Sequence, residues 1–115
     1  MPKVYTVMQV WNNGASYAED FDSGSEIMGV YDSYKNVIAA IESYMKQIVA
    51  EVKECNPDES ESYITPSYYE IESQEPEDKS GVRIAALEFT NDRCYMEEDH
   101  FQFYLYKSDL NETIL

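Results

Sequence analysis

Hydrophobic and polar positions alternate from Val4 to Trp11, with Val4, Thr6, Met8 and Val10 on one face and Tyr5, Val7, Gln9 and Trp11 on the other. A period of two is that of a β-strand. Asn12-Asn13-Gly14 follows, residues that tolerate positive φ, and predicts a turn. A second strand is expected at Ile27–Tyr31, or earlier around Tyr17–Phe21, with Glu19 to Ser25 as an acidic loop or a frayed extension of the hairpin.

The period then changes. Tyr34, Val37, Ile38, Ile41, Tyr44, Met45, Ile48, Val49 and Val52 recur at intervals of three and four, which puts them on one stripe of a helix from about Ser33 to Glu54. Asp32 or Ser33 supplies an N-cap oxygen. Asn56-Pro57 ends the helix, because proline disfavours helical geometry in the residue before it.

From Asn56 to Asp78 the chain holds eight acidic residues, no basic one and three prolines, so it reads mostly as loop. Within it, Ser67 to Glu72 alternates as a strand, with Glu70 and Glu72 on one face and Pro66 favouring an edge position. Lys79-Ser80-Gly81 predicts a turn. Val82–Phe89 is apolar on both faces at several positions, as an internal strand under a helix would be. After an Asn91-Asp92 turn, Cys94 to Met96 is a candidate strand extension, Phe101–Tyr106 is the last strand, and Lys107 to Leu115 is expected to be a tail or a single helical turn.

The order β-β-α-β-β-β predicts one α+β domain over residues 1–115: a mainly antiparallel sheet of about five strands with one long amphipathic helix packed on it. A chain of 115 residues has room for a single core.

Charge changes this picture from fold to function. The net charge is -15, and it is uneven: four basic against eight acidic residues up to Pro57, four against fifteen after it. Nucleic acid and anionic membranes would repel such a surface, so neither is an expected direct partner. A basic protein surface is. Eleven tyrosines suit a thin domain whose core residues reach the surface, or an interface, since a phenol buries its ring while keeping its hydroxyl wet.

Candidate chemistry is sparse. His100 is the only histidine and reads as an isolated surface residue beside Glu98 and Asp99; a Cys94–His100 pair across a hairpin is the one nucleophile–base arrangement the chain offers. Cys55 and Cys94 form no zinc pattern. Met1-Pro2-Lys3 leads into a strand and not into a secretory apolar stretch, so both thiols are expected to be reduced and the compartment cytoplasmic. Neither acidic run matches a calcium loop, and no phosphate-cradling glycine motif is present. The expectation is a binding protein without catalytic residues, cofactor or metal.

Residues two apart on a strand lie about 6.5–7 Å apart on one face, a spacing similar to that of successive phosphates. Glu70 and Glu72 have it; Glu75, Glu77 and Asp78 extend the row, Glu97, Glu98 and Asp99 form a second cluster, and Tyr68 and Tyr69 flank the first. These ten residues are the expected partner-binding set.

In charge, size and sheet-plus-helix plan the chain resembles small acidic proteins that phages and other mobile elements encode against host defences, including anti-CRISPR proteins and other DNA mimics. Lys3-Val4-Tyr5-Thr6-Val7, Ile27-Met28-Gly29-Val30-Tyr31-Asp32-Ser33 and the helix after them are similar to the strand–strand–helix opening of small bacterial and phage proteins. The first likeness implies an inhibitor of a CRISPR effector nuclease, acting in the host cytoplasm by covering a nucleic-acid channel. The alternative is a non-enzymatic accessory or regulatory interaction domain that dimerises or binds another protein through its tyrosine-bearing faces, and an exposed edge beside Pro66 to Ile71 could pair between two copies.

Overall fold

A computed structural model of the protein describes residues 3–12, 23–55, 65–77, 81–89 and 100–109. These form β1 (Lys3–Asn12), β2 (Ser23–Tyr31), α1 (Tyr34–Cys55), β3 (Tyr68–Ile71), β4 (Val82–Glu88) and β5 (His100–Asp109). The strands make a single antiparallel sheet in the order β2-β1-β5-β4-β3. The expected α+β class and element order hold.

The two periodicities meet at the core. Tyr34, Val37, Ile41, Met45, Ile48 and Val52 of α1 are buried against Tyr5 and Val7 of β1, Ile84, Ala85 and Leu87 of β4, and Phe101, Phe103 and Leu105 of β5. Each such aliphatic or aromatic side chain contributes roughly 1.5–3 kcal/mol on leaving water. Tyr44 meets Phe103 edge-on, with ring centroids 5.9 Å apart and planes at 80°. The helix starts where its cap predicts: Ser33 Oγ accepts the Asn36 N–H at 3.2 Å, and Asp32 Oδ1 accepts the Asn36 side-chain amide at 2.7 Å.

Two boundaries differ from the first expectation of the sequence, and the predicted turn at Gly81 holds. Lys107–Asp109 are neither tail nor helical turn but the end of β5, opposite Lys3 to Tyr5 of β1. Lys107 is buried, which a lysine tolerates only when its charge is matched, and its partner comes from a distant segment. Of the two alternatives for the stretch before Ile27, loop or hairpin extension, Ser23–Ser25 take the second: they belong to β2, which starts before the expected Ile27, and pair with Val10 to Asn12. Gly81, at φ 69°, bears the turn into β4, where only glycine enters the left-handed region without strain. The alternatives at Tyr17–Phe21 and Cys94–Met96, like most of the Asn12–Gly14 turn, fall outside the described residues.

Two bulges interrupt the pairing, between Val7 and Met8 against β2 and between Arg83 and Ala85 against β5. At the second, Ile84 and Ala85 are consecutive and both buried.

Candidate functional site

The acidic set is built on the sheet edge that β3 forms. Pairing with β4 runs one residue past each end of the strand, through Ser67 N–H to Glu88 O at 2.9 Å and Glu72 N–H to Ile84 O at 2.7 Å. Among the described residues no strand lies on the other side of β3. Pro66, just before the strand, suits that position, because it has no N–H to leave unpaired.

Strand alternation then sorts the side chains. Tyr69 and Ile71 stand opposite Leu87 and Ala85, on the helix side; Tyr68 and Glu70 stand opposite Glu88 and Ala86, on the far face. Tyr68 and Tyr69 are 38% and 44% exposed. The Tyr68 hydroxyl donates to the Glu70 carboxylate. In the next rows of that face Glu88 Oε1 lies 3.6 Å from His100 Nδ1, and Arg83 is exposed on β4. His100 is thus a half-buried neighbour of Glu88; Cys94 lies outside the described residues.

The acidic row does not stay together. Glu72 is exposed, and its carboxylate accepts the Gln74 N–H at 3.2 Å while its carbonyl accepts the Tyr34 hydroxyl at 2.6 Å. Glu75 turns back onto the body. Its carboxylate accepts the Tyr5 hydroxyl at 3.3 Å and pairs with Lys107 Nζ at 3.1 Å, and that ammonium also donates to the Pro76 carbonyl. Glu77 is exposed. Glu70, Glu72 and Glu77 therefore face solvent, whereas Glu75 is matched by a buried cation. Asp78, Glu97, Glu98 and Asp99 lie outside the described residues.

Two phenols anchor this segment, and both stay neutral at physiological pH. Burial, with the negative charges of Glu72 and Glu75 behind it, pushes Tyr34 up to about 12. Burial and the Glu75 carboxylate raise Tyr5 as well. Each thus remains a hydrogen-bond donor to the strap that runs from Glu72 to Pro76.

Sequence reasoning missed Lys107 as an anchor. Its signal was present, since Phe101, Phe103, Leu105 and Lys107 share one alternation, so the lysine sits at an inward position. Among the described residues no three His, Cys, Asp or Glu side chains are grouped to hold a metal, and no helix is long and apolar enough to cross a membrane. Comparison with protein-family models, with curated proteins and with solved structures found no match to this chain.

Proposed function

We propose that the protein is a non-enzymatic inhibitor of the kind phages and mobile elements encode. It lays its β3 edge on a basic, nucleic-acid-binding surface of a host defence protein, with CRISPR effector nucleases as the target class. The observation that carries this reading is the exposed edge itself: Glu70, Glu72 and Glu77 beside the half-exposed rings of Tyr68 and Tyr69, with no basic residue between Lys53 and Lys79. Carboxylates there compete with phosphate for lysine and arginine, and the tyrosines supply anchors that bury apolar area at low entropic cost. No chemistry is involved.

The test is binding of the chain to purified CRISPR effector nucleases across a salt series, with the Glu70→Lys/Glu72→Lys/Glu77→Lys variant alongside. The three side chains are exposed, so folding is retained, and affinity falls about tenfold or more. Binding that is indifferent to both salt and charge reversal would sink electrostatic mimicry.

A second reading, an interaction domain that forms a homodimer, is favoured by the opposite edge. Ile27 and Val30 are 62% and 61% exposed on β2, a nine-residue strand at the end of the sheet among the described residues, whose only charged residue is Glu26. Two such strands can pair without bringing many like charges together. Sedimentation of Ile27→Lys/Val30→Lys against the parent chain decides it.

A further inference from the structure

On the helix side of the sheet, between β2 and α1, lies a cleft of about 530 Å³, lined among others by Gln9, Glu26, Tyr31, Ser43, Tyr44 and Gln47. That is within the usual size range of small-molecule sites. It is remote from the β3 edge, four strands away across the sheet.

The innermost lining residue is Gln9, 2% exposed, on the core-facing side of β1. Its Oε1 accepts the Tyr44 hydroxyl at 3.1 Å. Its Nε2 has no hydrogen-bond partner among the described residues. An amide donor buried without a partner costs about 1–3 kcal/mol, and native structures keep few of them. Such a group at the floor of a cleft marks where a ligand acceptor is received.

Glu26 stands directly opposite Gln9 in the β1–β2 pairing. Cross-strand neighbours project from the same face with Cβ atoms about 4.5–5.5 Å apart. The cleft therefore presents a fixed N–H donor beside a carboxylate acceptor, with the Tyr31 ring as an apolar wall. Its complement is a planar group with a carbonyl next to an N–H. An anion is disfavoured twice, by Glu26 and by the net charge of -15.

The geometry points to this cleft as a binding site for a compact, uncharged ligand with a carboxamide or lactam edge. The ligand carbonyl accepts from Gln9 Nε2, and its N–H donates to the Glu26 carboxylate. Ser43 and Gln47 line the helix wall with further polar groups for the rest of the ligand.

Nicotinamide is the probe, because it joins a carboxamide to a flat ring, and nicotinate is its anionic control. In a nitrogen-resolved NMR titration the Gln9 side-chain amide and the backbone amides of Glu26, Ser43 and Gln47 are expected to shift together and saturate in the millimolar range, while nicotinate leaves them in place. Glu26→Ala, at an exposed position, keeps the fold and weakens binding about tenfold; Gln9→Met, which removes the donor at similar volume, does the same. The Glu70→Lys/Glu72→Lys/Glu77→Lys variant binds nicotinamide normally, so failure at the acidic edge and failure at the cleft are separate results. No saturable shift, a response unchanged by Glu26→Ala, or preference for guanidinium over nicotinamide overturns the proposal.

Discussion

Lys107 Nζ lies 3.1 Å from the Glu75 carboxylate, and the two residues are 32 positions apart in the chain. Their environments differ. The lysine side chain is 6% exposed and the glutamate 39%. Losing one partner thus has unequal consequences: Glu75 alone is rehydrated, whereas Lys107 alone is a buried charge.

Glu75→Gln is therefore expected to destabilise the fold by about 1–3 kcal/mol, and Lys107→Met by less, since an apolar chain of similar length fills the place beside the core. Urea midpoints of the two variants give the order. The reverse order would mean that the lysine reaches water and that the pair does not hold the strap.

Tyr34 links stability to alkaline pH. Its folded value of about 12 exceeds the unfolded 10.0, so the neutral phenol's contribution is complete below pH 10 and is lost as pH rises through about 12. Tyr34→Phe should cost about 1 kcal/mol near neutrality, through the lost bond to the Glu72 carbonyl, and should flatten the alkaline fall in stability. The flattening is partial, because Tyr5 is raised in the same sense. Denaturation midpoints that decline in parallel for both chains would refute the assignment.

Trp11 lies over Gly24, its cross-strand partner; a Cβ there would stand 2.5 Å from the indole Cζ2. Gly24→Ala is expected to displace the ring and to cost about 1–3 kcal/mol as overpacking. The chain has one tryptophan, so its emission reports the movement directly. An unshifted spectrum with unchanged stability would show that the ring does not need the glycine.

What sequence could reveal followed from how local the cause was. The α1 stripe and the β1 alternation are each specified by their own residues, and both were legible. At the end of β5 the alternation that places Lys107 inward was present, but what lets a charge be buried there was not, because its match, Glu75, comes from a distant segment. Ser23–Ser25 stayed open between loop and hairpin extension for a similar reason: their strand state is imposed by pairing with Val10 to Asn12, not by propensity. In the acidic row, counting carboxylates found the segment but not its division. The backbone turns beyond β3, and a phenol and a buried ammonium recruit Glu75 inward while its neighbours stay in water.

The irregularity at Met28 has a consequence that reaches both faces of the sheet. Val7 pairs with Gly29 and Met8 with Ile27, so β2 carries Met28 as a supernumerary residue. Everything upstream of it on the strand is shifted by one phase. Excise Met28, and the ladder becomes regular with Ile27 still opposite Met8 and Glu26 opposite Gln9; restore regular pairing while keeping Met28, and Ile27 would fall opposite Gln9, with Glu26 thrown to the face of Val10. A single inserted position thus decides whether the neighbour of the buried carboxamide is an aliphatic side chain or a carboxylate, and which of the two is handed to solvent.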